Sequence, residues 1–191
     1  MSGAGLLLAS ASPRRLELLA QIGVVPTAVT APAIDETPAR DELPRLYAQR
    51  IARAKAAACA TPGSFVLAAD TVVAVGRRIL GKAEDETSAR KCLALLSGRR
   101  HHVITCVVVQ APDGRTAERV VDSDVIFARL EQARIDAYLA GGEWHGKAGG
   151  YAIQGRAAAF VRSISGSYSG VVGLPLFETA QLLRGLGYKL P

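Results

Sequence analysis

Short apolar runs alternate along the chain with longer segments in which apolar residues recur every three or four positions. The first pattern predicts buried strands and the second predicts amphipathic helices. The predicted strands cover residues 5–9, 24–30, 65–69, 103–109 and 119–127, with a hairpin over residues 72–80. The predicted helices cover residues 13–22, 44–60, 85–96, 130–139 and 175–186. This alternation, with an antiparallel middle, predicts a mixed α/β (α+β) fold, and the absence of a repeat or linker predicts one domain over residues 1–191.

The first junction between a strand and a helix carries two hydroxyls and two guanidiniums. Ser10 and Ser12 precede Pro13, and Arg14 and Arg15 follow it. Ser12 is a favourable N-cap and Pro13 suits the first helical position. A helix N-terminus exposes unpaired N–H groups, and arginine binds phosphate through two parallel bonds. The junction therefore predicts a phosphate site, and the alternative is an ordinary N-cap beside surface arginines.

Two acidic positions are candidates for catalysis or metal binding. Asp70 directly follows the apolar run 65–69, where α/β sheets place their sites. A charge there is costly unless it is paired or binds a metal. Glu36 follows Asp35 in a predicted loop, and such a pair suits Mg²⁺, which prefers oxygen ligands. The alternatives are an aspartate that caps a turn and an exposed acidic loop.

Two segments of the form G-x4-G-K end at Lys82 and Lys147. A phosphate-binding P-loop requires Ser or Thr next, but Ala83 and Ala148 follow here. We therefore reject a P-loop and retain both lysines as candidate phosphate ligands.

Charge and composition narrow the classes of partner. The net charge of +6 is not concentrated in a basic run, and only 5% of residues are aromatic, which favours a small polyanion over a nucleic acid. Three cysteines without a CxxC pair predict neither disulfides nor zinc and indicate a reducing compartment. The first 15 residues lack the charged start of a signal peptide, and no apolar segment is long enough for a membrane span.

Five segments occur in an order that is typical of one family and cover nearly the whole chain. They are LASASPRR at 8–15, ADTVV at 69–73, LLSG at 95–98, KAGGYAIQG at 147–155, and SGSY with VVGLP within 165–175. Together they resemble the Maf family of nucleoside triphosphate pyrophosphatases. Pro-Arg-Arg, Asp-Thr and Ile-Gln-Gly resemble its dTTP/UTP-directed branch. The 7-methyl-GTP-directed branch tends to carry Trp in the first motif and Glu where Gln154 stands.

The resemblance implies a fold like that of the inosine-triphosphate pyrophosphatases, in which an elongated mixed sheet with flanking helices forms a central cleft between two lobes. It implies hydrolysis of dTTP and UTP to the monophosphate and pyrophosphate. It also implies dependence on Mg²⁺ or Mn²⁺, a cytoplasmic setting and a homodimer.

The same resemblance assigns roles to residues of this chain. Asp70 matches the proton acceptor. The positions that match specificity residues are Arg14, Thr71 and Gln154, and the remaining polar cleft residues are Glu36, Lys55 and Lys82. Two departures are Ala83, where the family usually has proline, and Gly146, where it often has an acidic residue.

These assignments lead to a mechanistic hypothesis. Asp70 activates the attacking water, and Glu36 with Asp70 helps to hold the metal. The predicted phosphate ligands are Ser10, Ser12, Arg15, Lys55, Lys82 and Lys147. The amide of Gln154 can pair with uracil or thymine, but it can also flip to match cytosine. Added donors from Arg14 and Thr71 are therefore expected to fix the choice of base.

Three other functions remain open from the sequence. One is a house-cleaning pyrophosphatase for 7-methyl-GTP, inosine-type or other modified nucleotides. Another is a non-catalytic nucleotide-binding regulator of cell division. A nucleic-acid-binding protein ranks below both, because the sequence shows no basic stripe.

Overall fold

The computed structural model describes residues 4–191. Residues 1–3, which belong to the segment tested for a signal peptide, lie outside the described residues. The strands are β1 (Leu6–Ala9), β2 (Ala28–Thr30), β3 (Phe65–Val75), β4 (Arg78–Leu80), β5 (Arg100–Gln110), β6 (Thr116–Phe127) and β7 (Val161–Ser165). The helices are α1 (Pro13–Gln21), α2 (Pro44–Ala58), α3 (Glu86–Leu96), α4 (Gln132–Ala140), α5 (Tyr168–Val172) and α6 (Leu176–Gly185). A 3₁₀ helix spans Arg156–Phe160.

All seven strands belong to one mixed sheet. Its order is β2-β1-β3-β5-β6-β7, and β4 pairs separately with β3. Strand β1 runs parallel to β2 and β3, whereas the pairs from β3 to β7 are antiparallel. The predicted mixed α/β fold with an antiparallel middle is therefore confirmed.

Strand β3 is longer than the sequence predicts. The expected break after residue 69 does not occur, because Asp70 and Thr71 continue the ladder with Cys106 and Thr105 of β5. Side chains alternate between the faces of a strand. Asp70 therefore points to the face that α2 covers, and Thr71 points to the opposite face.

The apolar core divides along the long strands β3 and β5. On one face, Leu67 belongs to a cluster with residues of α1 and α6. Farther along the same strand, Val73 belongs to a second cluster with residues of α3 and α4. Thr71 lies between these two positions, so a polar site interrupts the core where the two lobes meet. Helix α2 covers a third cluster on the other face, which contains Ala68 and Val72.

Helices α1 and α3 begin where the sequence carries residues that favour a helix start. Helix α1 begins at Pro13 as predicted, although within the described chain the Ser12 side chain makes no capping hydrogen bond. Asp85 caps α3 by accepting a hydrogen bond from the Ser88 N–H at 2.7 Å. The hydrophobic pattern does not predict β7, α5 or the 3₁₀ helix, because each is only five residues long and too short to show a clear period.

No helix within residues 4–191 is long and apolar enough to cross a bilayer.

Candidate active site

A gap along one edge of β3 opens the sheet to a cavity. Strand β1 pairs with β3 as far as Ala68, and β4 pairs with β3 from Val73 onward. Between these two neighbours, the edge at residues 69–72 faces a cavity of about 510 Å³. Because the edge is open there, Asp70 and Thr71 reach the same cavity from opposite faces of the sheet.

Every residue that the sequence predicts for the site lines this one cavity. Its walls include the α1 junction, the loop before α2, the middle of β3 and the Gly-rich loop. The predicted residues in its lining are Ser10, Ser12, Arg14, Arg15, Glu36, Lys55, Asp70, Thr71, Lys82, Lys147 and Gln154.

Two lysines and two carboxylates form a continuous chain of ion pairs. Lys55 Nζ lies 2.7 Å from Asp70 Oδ1 and 2.8 Å from Glu36 Oε1. Lys82 Nζ lies 2.7 Å from the other oxygen of Glu36. Lys55 is itself buried, so helix α2 brings an ammonium group to the buried carboxylate of β3.

The surroundings shift the pKa values of Asp70 and Glu36 in opposite directions. Burial raises the pKa of Asp70 above its ordinary value, although Lys55 and Arg15 oppose this shift. Burial also disfavours ionisation of Glu36, but hydrogen bonds from Lys55 and Lys82 outweigh it and hold the pKa of Glu36 below its usual value. Asp70 is therefore the more basic of the two carboxylates.

Arg15 lies beneath the cavity with its guanidinium almost fully enclosed. Leu18 and Leu19 lie three and four positions later on α1 and are also buried, which places all three on one helix face. Arg15 donates from Nε to the Gly173 carbonyl at 2.9 Å and from Nη1 to Ser10 Oγ at 3.0 Å. Burial lowers the pKa of Arg15, and the charge of Asp70 opposes that shift.

Ser10 joins the strand end to the start of α1. Its hydroxyl oxygen accepts from the Ser12 N–H at 3.1 Å as well as from Arg15. These bonds hold the turn before α1 against the cavity, which is where a helix N-terminus can face an anion.

The Gly-rich loop is bound to the segment after β4 by backbone hydrogen bonds. Ala83 N–H donates to the Lys147 carbonyl at 3.1 Å, and Gly146 N–H donates to the Ala83 carbonyl at 2.9 Å. Lys82 also forms an isolated β-bridge with Ala148. Ala83 is therefore hydrogen-bonded through both its N–H and its carbonyl oxygen.

Arg14 and Lys147 add positive charge to the cavity, and the nearby Glu17 and Glu143 attract them from a distance. Neither residue forms a salt bridge with any part of residues 4–191. Burial lowers the pKa of both groups, and repulsion from Arg14 lowers the pKa of Lys147 further. Two cations that repel each other beside an open cavity favour the binding of an anion.

Sequence reasoning missed Thr105, a fully buried residue of β5 that contacts Thr71 behind the cavity wall. The available signal was a single hydroxyl within the apolar run 103–109. His101 is buried away from the cavity, and its Nε2 lies 2.8 Å from the Tyr151 hydroxyl oxygen.

The donor set limits how a metal ion could be held. Within residues 4–191, no group of three or more His, Cys, Asp or Glu side chains could surround a metal. Glu36 and Asp70 nevertheless approach the same ammonium group from two sides. Two carboxylates fit Mg²⁺, which commonly binds one or two protein carboxylates and takes other ligands from water and substrate phosphates.

Two solved structures resemble part of the chain. One is a nucleoside-triphosphatase, or dITP/XTP pyrophosphatase, from Mycobacterium abscessus, with a TM-score of 0.41 and 20% identity over 65% of this chain and 73% of that one. The other is the Ham1 protein of Staphylococcus aureus, with a TM-score of 0.44 and 18% identity over 64% of this chain and 71% of that one.

Relatives are much closer in sequence. A dTTP/UTP pyrophosphatase of Rhodospirillum rubrum is 64% identical over 98% of this chain and 90% of its own length. Proteins of the same name from Granulibacter bethesdensis and Caulobacter vibrioides are 61% and 59% identical, over 96% and 98% of this chain and 94% and 98% of their own lengths. The family model described as Maf-like protein matches residues 5–186. The chain therefore belongs to the Maf family.

Proposed function

We propose that this chain hydrolyses dTTP and UTP to the nucleoside monophosphate and pyrophosphate. The observation that carries this proposal is the cavity at the open edge of β3, where a buried carboxylate and several cations converge. Its Maf relatives, which are 59–64% identical over nearly their full lengths, bear the name of that activity.

Charge in the cavity supports a polyphosphate ligand. The lining contains five cations and three carboxylates, so positive charge is in excess. Arg15 donates hydrogen bonds to Ser10 and to the Gly173 carbonyl, and these bonds fix the plane of its guanidinium. A fixed guanidinium loses little entropy when it binds phosphate oxygens. The cations that carry this role are Arg15, Lys55, Lys82 and Lys147, with Ser10 and Ser12 at the start of α1.

Asp70 is the residue that we assign as the proton acceptor. Hydrolysis between the α and β phosphates requires a water positioned in line with the departing pyrophosphate. The raised pKa of Asp70 makes its carboxylate a better base than an exposed aspartate, while Lys55 keeps it charged. Lys82, which pairs with Glu36 rather than with Asp70, can neutralise the phosphates of the substrate.

Glu36 and Asp70 are the residues that would hold a divalent cation, Mg²⁺ or Mn²⁺. When bound there, such an ion would neutralise phosphate charge and orient the phosphate chain. The ammonium group of Lys55 lies between the same oxygens in the structure, so the two carboxylates are already arranged around one positive charge.

Selection of the base is assigned to Arg14, Thr71 and Gln154. Gln154 is an exposed residue in the cavity lining, so its amide is accessible to a base. An amide presents an acceptor and a donor side by side, which matches one edge of uracil or thymine.

The proposal also covers the domain organisation, the oligomeric state, the cellular location and the partners of the protein. Both lobes share β3 and β5, which supports a single domain over residues 1–191. The resemblance to the family supports a homodimer in the cytoplasm that binds a nucleotide and no nucleic acid.

A substrate panel with pyrophosphate detection tests the proposal. The panel contains dTTP, UTP, CTP, GTP, ITP, 7-methyl-GTP and a 5-substituted UTP, each with Mg²⁺, with Mn²⁺ and after chelation. We expect dTTP and UTP to react fastest and chelation to stop the reaction. Preference for a modified nucleotide would favour a house-cleaning enzyme, and no hydrolysis of any nucleotide would favour a non-catalytic regulator.

A further inference from the structure

Glu36 lies on a long connection that has no regular structure of its own. Residues 31–43 join β2 to α2 and form neither helix nor strand. Connections of this kind are usually more mobile than the elements they join, because no ladder of hydrogen bonds holds their backbone. The Glu36 carboxylate nevertheless reaches two ammonium groups, those of Lys55 at 2.8 Å and Lys82 at 2.7 Å. Contacts outside the sheet must therefore fix the main chain at this point.

Helix α2 supplies such a contact through the hydroxyl of Tyr47. The hydroxyl donates to the main-chain carbonyl oxygen of Glu36 at 2.9 Å. Tyr47, Ile51 and Lys55 are spaced four residues apart, so they lie on one face of α2. The same helix face thus binds the main chain of Glu36 through Tyr47 and its carboxylate through Lys55. Tyr47 itself lies outside the cavity lining, so any effect on the site passes through Glu36.

A second contact from α2 holds the next residue of the loop. Arg50 donates from Nη2 to the Thr37 carbonyl oxygen at 3.0 Å. Its guanidinium is oriented by Glu42, whose two carboxylate oxygens accept from Nε and Nη2 at 2.7 Å. The guanidinium also lies 5.6 Å from the centroid of the Tyr47 ring, within the range of a cation–π contact. Arg50 is exposed and Tyr47 is half-buried, so water competes less with the bond from Tyr47.

These contacts arrange a carboxylate ligand in advance of any ion. The affinity of a metal site depends on the groups that orient its ligands as well as on the ligands themselves. We infer that Tyr47 and Arg50 are positioning residues: they fix the main chain so that the Glu36 carboxylate stays in place to hold a divalent cation. This inference deepens the proposed function and rests on its assignment of Glu36 and Asp70 to the metal.

Replacement of Tyr47 by phenylalanine removes the hydroxyl and keeps the ring. Tyr188→Phe is the matched control for Tyr47→Phe. Tyr188 is also half-buried, packs edge-on against Phe65 with ring centroids 5.2 Å apart, and lies outside the cavity lining. The measured quantity is the Kd of Mn²⁺, obtained from the EPR signal of the free ion. It is measured without nucleotide and again with the α,β-methylene analogue of UTP.

We expect Tyr47→Phe to raise the Kd of Mn²⁺ by about three- to tenfold, which is the effect of one lost hydrogen bond. At saturating Mn²⁺, kcat for UTP should return to the parent value, since the groups that touch the substrate are unchanged. Tyr188→Phe should keep the Kd of the parent protein. An unchanged Kd in folded Tyr47→Phe, or an equal rise in Tyr188→Phe, would overturn the inference.

A double substitution tests whether Tyr47 acts through Glu36. In Glu36→Gln, Asp70 and the substrate phosphates remain as ligands, and the measured quantity is the Mn²⁺ concentration that gives half-maximal hydrolysis of UTP. Tyr47→Phe should raise this concentration in the parent background and add nothing in the Glu36→Gln background, because residues that act through one another are not additive. Equal rises in both backgrounds would show a general effect on the fold and would refute the positioning role.

If Tyr47→Phe does not fold, Arg50→Gln decides. This variant loses the bond to the Thr37 carbonyl oxygen, so it should also raise the Kd of Mn²⁺, and an unchanged Kd would overturn the inference. Failure of the proposed function gives a different result. A parent protein that binds Mn²⁺ and the UTP analogue but hydrolyses no nucleotide would refute the proposed function alone. A parent that hydrolyses UTP, with a Tyr47→Phe variant of equal Mn²⁺ affinity, would refute the inference alone.

Discussion

Asp70 is a buried charged residue in the middle of β3, and Lys55 stabilises its charged form. Desolvation of a carboxylate is expensive, and the ammonium group at 2.7 Å compensates for part of that cost. The pKa of Asp70 still remains above its ordinary value. At the scale of the residue, burial and ion pairing therefore shift the pKa of this base in opposite directions.

Replacement of Asp70 by asparagine should remove the base with little change in shape. Lys55 would still pair with Glu36, which limits the loss of stability. We expect kcat for UTP to fall by about 10²- to 10⁴-fold, while KM changes much less. The control is Asp122→Asn on β6, which lies outside the cavity lining. Unchanged turnover in Asp70→Asn would refute the assigned role.

Removal of the Lys55 charge should shift the acid limb of the rate profile. The active form of Asp70 is the carboxylate, so kcat/KM falls as pH drops through its pKa. Burial raises that pKa and Lys55 lowers it, so Lys55→Gln should move the acid limb to higher pH.

Lys82→Gln is the matched comparison for this profile. Lys82 pairs with Glu36 rather than with Asp70, so its loss should leave the position of the acid limb nearly unchanged, even if the rate falls. Equal shifts in the two variants, measured by kcat/KM against pH, would argue against a direct effect of Lys55 on Asp70.

At the scale of the element, the Gly-rich loop carries Lys147 and Gln154 and packs directly on the sheet and on α3. Gly150 has a φ of +70°, and a Cβ there would lie 3.2 Å from the Cα of Ala89. Gly149 has a φ of +68° and a similar approach to Val73. Both positions require glycine, because a side chain would be strained and would push the loop away.

Gly150→Ala should therefore destabilise the protein and weaken substrate binding together. We expect a loss of about 1–3 kcal/mol in the free energy of unfolding, measured in urea, and a higher KM for UTP. Gly142→Ala is the control, since its φ is +71° but a Cβ there would meet nothing within 4 Å. Equal effects from both variants would show that backbone strain, rather than contact with Ala89, sets the cost.

At the scale of the whole molecule, two lobes share β3 and β5, and the cavity lies where the apolar core changes from one lobe to the other. The lobe that contains α3 and α4 buries His101 against Phe127 and Tyr151, with ring centroids 4.9 and 5.5 Å apart. Burial lowers the pKa of His101 to about 4. His101 is thus neutral in the folded protein at pH values where it is protonated in the unfolded chain.

Global stability should therefore depend on pH through His101. The unfolded chain binds this proton near pH 6.5 and the folded protein near pH 4, so stability is full above pH 6.5 and decreases as pH falls between these values. The contribution of this group is on the order of 3 kcal/mol. His101→Gln can still bond to Tyr151 but does not titrate, so its unfolding free energy in urea should change less over this range. Parallel curves for the two proteins would contradict the assignment.

The sequence by itself determined the mixed α/β fold and most strands and helices, and the residues that it predicts for the site all line the cavity. Hydrophobic period and helix-stop residues encode the elements locally, and Asp70, Lys82 and Lys147 were recognisable as polar groups beside apolar or glycine-rich segments. The break expected at Asp70 was wrong, because a polar residue can continue a strand when the neighbouring strand pairs with it.

Only the tertiary structure decided which groups pair and which remain free. The gap between β1 and β4 depends on where two distant strands end, which no local pattern encodes. The ion pairs of Lys55 depend on how α2 packs on β3, and the contact between Thr71 and Thr105 depends on the register between β3 and β5. Ion pairing is a property of groups brought together by folding, so the chemistry of this site is set by contacts rather than by residue types alone.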